Sequence, residues 1–165
     1  SPLFRNGELG GFFCYNSGMK EVTNSADAMK SLAERFIRSK IDTPRQDGSG
    51  ALVIGLVGDL GAGKTTFAQG VAESLGVRDA VVSPTFTIER VYKIIHPNFS
   101  HLIHLDAYRL ETPEELTRLG WNNLESDDRA IILIEWAYRV REILPAGTLF
   151  IHFTLVTPTI HEVSY

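Results

Sequence analysis

Along the chain the apolar positions fall into two kinds of spacing. Between residues 26 and 38, Met29, Leu32, Ala33, Phe36 and Ile37 recur every three or four positions, which marks one face of a helix. Asn24 or Ser25 can cap its first turn. Residues 51–57, ALVIGLV, form a continuous apolar run of strand length, the pattern of a strand buried on both faces. Helical spacing resumes at Phe67, Ala68, Val71, Ala72 and Leu75 and ends at Gly76, a residue suited to close a helix. TFTIERVYKII (85–95) alternates and is rich in β-branched and aromatic residues. HLIHLDAY (101–108) follows the turn residues HPNFS, so the two predict an antiparallel pair. Thr112-Pro113-Glu114-Glu115 predicts a helix start with a Thr cap, Pro at N1 and Glu at N3. AIILIEW (130–136) predicts another buried strand and TLFIHFTLV (148–156) a last one. DTPRQDGSG (42–50) reads as a loop, and residues 1–20 as an irregular extension with a short edge strand at 11–15. No segment repeats. The alternation of buried strands and helices predicts an α/β fold around a central sheet.

Composition changes this picture in a few places. The chain has 165 residues, which predicts a single domain over 1–165 burying roughly 70% of the unfolded surface. Its formal net charge of -4 argues against direct binding of DNA, RNA or a membrane surface, because all three attract basic faces. One cysteine, Cys14, allows neither an internal disulfide nor a thiolate-rich metal site, which fits a reducing setting. No apolar run approaches the roughly 20 residues of a membrane span, and the first 20 residues lack a secretory pattern. A cytoplasmic location is therefore expected.

The strongest chemical signal is GDLGAGKTT at 58–66. Gly58, Gly63, Lys64 and Thr65 match the Walker A spacing, between a predicted strand and a predicted helix as that motif requires. Glycines let consecutive N–H groups turn around a phosphate, and the helix that follows presents its positive end to the same anion. Lys64 is placed to reach the β- and γ-phosphates and Thr65 to offer its hydroxyl to Mg²⁺. The candidate nucleotide contacts are Gly58, Asp59, Gly61, Ala62, Gly63, Lys64, Thr65 and Thr66. No Asn-Lys-x-Asp segment for guanine occurs, so ATP is favoured.

Two acids end apolar strands, Asp106 in HLIHLD and Glu135 in AIILIE. Strand C-terminal ends converge on the ligand crevice of an open α/β sheet, so both can face a γ-phosphate. Asp106 is the candidate metal acid, through water. Glu135 is the candidate for orienting or activating the attacking water, or for sharing the metal shell. The competing reading for Asp106 is an ion pair with Arg109. Ser83-Pro84-Thr85 is either a γ-phosphate and metal sensor or a plain turn opening a strand.

The segments GDLGAGKTTFAQG, SPTFTIERVY, HLIHLDAYRL, ELTRLG and IILIEW, in this order and spacing, resemble the TsaE (YjeE) family over about residues 21–155. The resemblance implies a three-layer α/β/α P-loop fold with a mixed, mainly parallel sheet. It implies a small bacterial ATPase, weak alone, that acts with TsaB and TsaD in making N6-threonylcarbamoyladenosine at position 37 of tRNA. In that setting ATP hydrolysis resets the TsaB–TsaD transferase, and tRNA is reached only through the complex. Carried onto this chain, it implies a switch-like Thr85, Asp106 and Glu135 as the acids near Mg²⁺, and Trp136 lining the site. It also suggests that the loop at Ile41–Thr43 lies near the adenine. Ala137 stands where the family often has Pro, and the ending TPTIHEVSY lacks the expected Gly-Arg pattern.

Other residues receive plainer readings. His101 and His104 are three apart in one strand and point to opposite faces, poor geometry for one metal; His104 reads as a core residue or one standing behind the site. Trp121 and Tyr108 read as packing residues, and Arg109 as an ion-pair partner rather than an arginine finger. Two alternatives to the ATPase remain: a small-molecule kinase, which shares Walker A but needs an arginine-rich lid, and a non-catalytic nucleotide-dependent switch.

Overall fold

The computed structural model describes residues 18–46, 48–84 and 88–165. The strand expected at 11–15, Cys14 and Thr85 lie outside the described residues. The elements run β1 (Lys20–Thr23), α1 (Ala26–Ile41), β2 (Leu52–Gly58), α2 (Lys64–Ser74), β3 (Glu89–Lys93), β4 (His101–Asp106), α3 (Pro113–Arg118), α4 (Trp121–Glu125) and β5 (Ala130–Glu135). A 3₁₀ helix (Ala137–Ile143), β6 (Leu149–Thr157) and β7 (Ile160–Ser164) complete the chain.

The described strands form one sheet in the order β1-β7-β6-β2-β5-β4-β3. Its centre, β6, β2, β5 and β4, is parallel. Both edges are antiparallel, β3 against β4 on one side and β7 and β1 on the other. This is the mixed α/β P-loop architecture that the sequence predicts.

Alternation along the central strands sorts residues between two cores. Ile54, Leu56, Leu102, Ile131 and Leu133 join α1 and α2 in one core. Val53, Ile103, Leu105, Ile132 and Ile134 join α3, α4 and the 3₁₀ helix in the other. All six residues of β5 are buried, as its apolar run requires. The two helices of the first layer pack closely at Gly70, where a Cβ would stand 2.7 Å from Lys30 Cα and 2.8 Å from Ala33 Cβ. Any larger side chain there would push α1 away from α2.

The ends of the helices follow local chemistry. Ser25 caps α1, its Oγ accepting from Ala28 N–H at 3.1 Å. After α2, Gly76 adopts φ +78°, with its N–H on Glu73 O and Val77 N–H on Ala72 O. That is the paired closing bond of a Schellman end, which favours glycine in the left-handed position.

Two local expectations differ from the structure. Thr112 occupies the cap position of α3 but makes no side-chain cap bond, and Glu115 instead accepts from Glu111 N–H at 3.3 Å. The strand expected over 85–95 is confined to 89–93 among the described residues. The atypical C-terminus nonetheless builds β7, which pairs with both β6 and β1. Tyr165 then donates to Glu21 Oε1 at 2.6 Å and packs edge-on against Phe36.

Candidate functional site

Gly58, Asp106 and Glu135 end three neighbouring parallel strands, β2, β4 and β5, on the same edge of the sheet. Where parallel strands end, their last side chains converge on a crevice. A cleft of about 450 Å³ opens there, lined by Leu60, Gly61, Gly63, Lys64, Thr65, Thr66, Ser83, Asp106, Tyr108, Glu135 and Trp136.

The loop from Gly58 to Gly63 forms the floor of this cleft. Gly61 and Gly63 take φ values of +77° and +104°, the left-handed region that glycine occupies without penalty. At Gly63 a Cβ would also stand 2.7 Å from Met29 Cε of α1. No side chain caps α2, and its first ladder bond is Phe67 N–H to Gly63 O at 2.9 Å. The N–H groups of Gly63, Lys64, Thr65 and Thr66 therefore precede the ladder and add to the positive end of the helix. A glycine cradle closed by uncapped N–H groups fits a phosphate.

Lys64 is buried, and its Nζ donates to Gly58 O at 2.7 Å and Asp59 O at 2.8 Å. It also lies 4.0 Å from the Trp136 ring centroid, a cation–π contact. Burial pushes its pKa below the ordinary lysine value, opposed by the charges of Glu135, Asp106 and Asp59. Trp136 itself sits at φ 58°, a left-handed position for a bulky residue, with a strain of roughly 1–3 kcal/mol. That turn aims the indole back over the loop. Tyr108 packs on it with centroids 5.0 Å apart.

The two acids are register partners across β4 and β5, and both are buried. Glu135 accepts from Thr65 Oγ1, at 3.0 Å to Oε1 and 3.1 Å to Oε2. His104 Nε2 stands 2.9 Å from Glu135 Oε1. Asp106 accepts from Ser83 Oγ and from Tyr108 N–H, both at 2.8 Å. Among the described residues no group of three His, Cys, Asp or Glu can hold a metal. A divalent ion here would have Thr65 and Asp106 to hold it, with Glu135 beside them, and would need other oxygens to complete its shell. That is how Mg²⁺ is usually held beside phosphates.

The structure thus gathers Lys64, Thr65, Asp106, Glu135 and Trp136 around one cleft. The suggestion that Ile41–Thr43 lies near an adenine is not supported. Asp42 lines a different cleft of about 460 Å³, with Pro44, Arg45, Asn98, Asp128 and Arg129, before the starts of β2, β4 and β5. Helix α1 runs against the direction of β2, so its end faces the opposite edge of the sheet. Its first turns touch the phosphate loop instead, through Met29.

Sequence reasoning missed three contacts. Met29 abuts Gly63, and His161 of β7 places Nε2 3.3 Å from Gly61 O. Tyr108, read as a packing residue, is half exposed and lines the cleft. No local signal marks Met29 or His161, because their neighbours are distant in sequence. His104, read as a core residue or one standing behind the site, is buried behind Glu135. The spacing His-x-Asp in one strand puts His104 and Asp106 on the same face. Trp121, by contrast, is fully buried as expected, with its indole N–H on Ile143 O at 3.2 Å.

Comparison with known proteins identifies relatives across most of the chain. The profile of a family described as threonylcarbamoyl adenosine biosynthesis protein TsaE matches residues 23–160. A Rickettsia bellii protein described as tRNA threonylcarbamoyladenosine biosynthesis protein TsaE is 34% identical over 136 residues, 82% of this chain and 85% of its own. Proteins of the same description from Haemophilus influenzae and Bacillus subtilis are 38% and 43% identical. Those matches span 62% and 59% of this chain, and 62% and 58% of the relatives' own length. Among solved structures, the crystal structure of Bacillus subtilis YdiB superposes with a TM-score of 0.68 at 29% identity, covering 89% of this chain and 83% of that one. With the profile matched across most of its length, the chain belongs to the TsaE family.

Proposed function

We propose that this protein binds ATP with Mg²⁺ at the Gly58–Thr66 loop and hydrolyses it. It would do so as a subunit of the machinery that installs N6-threonylcarbamoyladenosine at position 37 of tRNA, working with TsaB and TsaD. The relatives' descriptions support the pathway, and the site chemistry supports the reaction. The observation that carries the reading is the hydrogen bond from Thr65 Oγ1 to both oxygens of buried Glu135, beside its register partner Asp106.

Each residue has a distinct role in this reading. The uncapped N–H groups from Gly63 to Thr66 bind phosphate oxygens. Lys64 exchanges the carbonyls of Gly58 and Asp59 for those oxygens, which its short reach across the loop permits. Thr65 and, through water, Asp106 would hold the ion, which would free Glu135 from its bond to Thr65. Mg²⁺, when bound, would supply positive charge that offsets the charge of the phosphates. Glu135 then orients the attacking water and accepts its proton, with water as the only acceptor. Trp136 and Tyr108 wall the cleft against bulk water, which strengthens the electrostatic interactions inside.

Phosphate release from ATP with Mg²⁺, measured alone and with TsaB plus TsaD, tests this. The expected result is turnover stimulated by the partners and reduced about 100- to 1000-fold in Glu135→Ala, with ATP still bound. Slow, unstimulated turnover equal in both forms would leave a nucleotide-dependent switch as the better reading. Transfer of phosphate to an added small molecule would favour a kinase.

A further inference from the structure

His104 is fully buried, yet it is no part of the proposed phosphate or metal contacts. It shares a sheet face with Asp106 and Glu135. His104 is the register partner of Leu133, and Glu135 is two residues further along β5. The histidine therefore stands diagonally behind the acid pair, a separation that a long side chain spans. Its Nε2 reaches Glu135 Oε1 at 2.9 Å, while its Nδ1 is buried with no hydrogen-bond partner among the described residues.

This arrangement fixes the direction of the bond. An ionised carboxylate only accepts, so Nε2 carries the proton and donates. Nε2 carries that proton whether the ring is neutral or charged, so the contact does not depend on the ring's charge. With Nδ1 unpartnered, the bond to Glu135 is the polar contact that orients the imidazole. Thr65 also bonds Glu135, but its single hydroxyl proton is shared between Oε1 and Oε2 at 3.0 and 3.1 Å. It does not distinguish the two oxygens, whereas His104 does.

We infer that His104 is a positioning residue that holds Glu135 Oε1 and thereby presents Oε2 to the cleft. The inference rests on the reading of Glu135 as the water-orienting acid. It assigns His104 a task separate from nucleotide binding. If Thr65 turned away to hold an ion, Glu135 would lose that donor and be free to rotate about its last torsion. The His104 bond keeps one oxygen anchored and leaves the other for water.

The test compares His104→Gln, His104→Asn, His104→Leu and Glu135→Ala in the full chain, with TsaB, TsaD, ATP and Mg²⁺ present. A Gln amide nitrogen can stand where Nε2 stands, whereas an Asn amide reaches only the Nδ1 position. Turnover and KM come from phosphate release, ATP affinity from calorimetry, and integrity of the fold from thermal unfolding. The expected result is a kcat lowered about 10- to 100-fold in His104→Leu and His104→Asn, with ATP affinity unchanged and most of kcat restored in His104→Gln. Wild-type kcat in His104→Leu would overturn the inference, as would equal kcat in the Gln and Asn variants at equal unfolding temperature. So would a loss of ATP affinity with kcat intact. If Glu135→Ala itself retains wild-type turnover, the role proposed for Glu135 fails first and the inference with it. An inactive Glu135→Ala beside a fully active His104→Leu would overturn the inference alone.

Discussion

The two edges of the central sheet carry clefts of nearly the same volume, about 450 and 460 Å³, and only one has the chemistry of a site. At the C-terminal ends of the strands, Lys64, Asp106 and Glu135 are each no more than 5% exposed. Burying charge is unfavourable unless it is paired and hydrogen-bonded, and such groups cluster where a protein binds or reacts. At the N-terminal ends the charged groups lie nearer to water, and the half-buried cation, Arg45, has a structural task. Its guanidinium donates to Gly50 O at 2.7 Å and Asp128 O at 3.4 Å and packs on the Phe99 ring. It ties the loop before β2 to the loop before β5. Cleft size alone therefore does not mark a site; a cluster of buried charge does.

The largest expected effect that separates the two ends is that of Lys64→Ala. Loss of the ammonium should lower ATP turnover about 100- to 1000-fold, read as phosphate release under saturating Mg²⁺. Normal turnover in that variant would remove the distinction between the clefts. The converse change at the other end is Arg45→Ala. It should leave turnover within about twofold of wild type while lowering unfolding stability by about 1–2 kcal/mol, measured by denaturant titration. A large loss of turnover with stability intact would make the second cleft functional too.

The smallest effect concerns the fold's closing contact, away from both clefts. Burial and the bond to Glu21 push the Tyr165 hydroxyl up to about 12. Its folded pKa lies above the ordinary value of 10.0. The stability it contributes is therefore fully present below pH 10 and lost as pH rises towards 12. Thermal unfolding of Tyr165→Phe should show a shallower decline across that interval than wild type, with turnover at neutral pH unchanged. Identical pH profiles would mean that the Tyr165–Glu21 bond does not contribute.

The fold was legible in the sequence where local pattern and tertiary role coincide. The apolar runs ALVIGLV and AIILIEW became β2 and β5, because a strand buried on both faces needs no polar alternation. Helices α1 and α2 followed from one apolar stripe each, with Ser25 and Gly76 marking an end as their chemistry predicts. Shorter elements escaped. The five-residue α4 and the four-residue β1 are too brief to display a period. β7 depends on partners more than on its own pattern, lying between β6 and β1. Thr112 had the right identity for a cap but makes no side-chain bond, since identity does not set the rotamer.

The sequence by itself determined the phosphate loop and the kinds of group that surround it, because the GDLGAGKTT stretch builds its cradle from consecutive backbone groups. It also marked Asp106 and Glu135 as acids that end apolar strands, since the aliphatic runs stop at those acids. Only the tertiary structure decided how those groups meet. Strand order put β5 between β2 and β4, so Glu135 stands between Thr65 and His104. The same folding sent the end of α1 to the opposite edge and its Met29 to the loop. Such contacts join residues tens of positions apart, and their geometry comes from sheet register and helix direction, which no local spacing encodes.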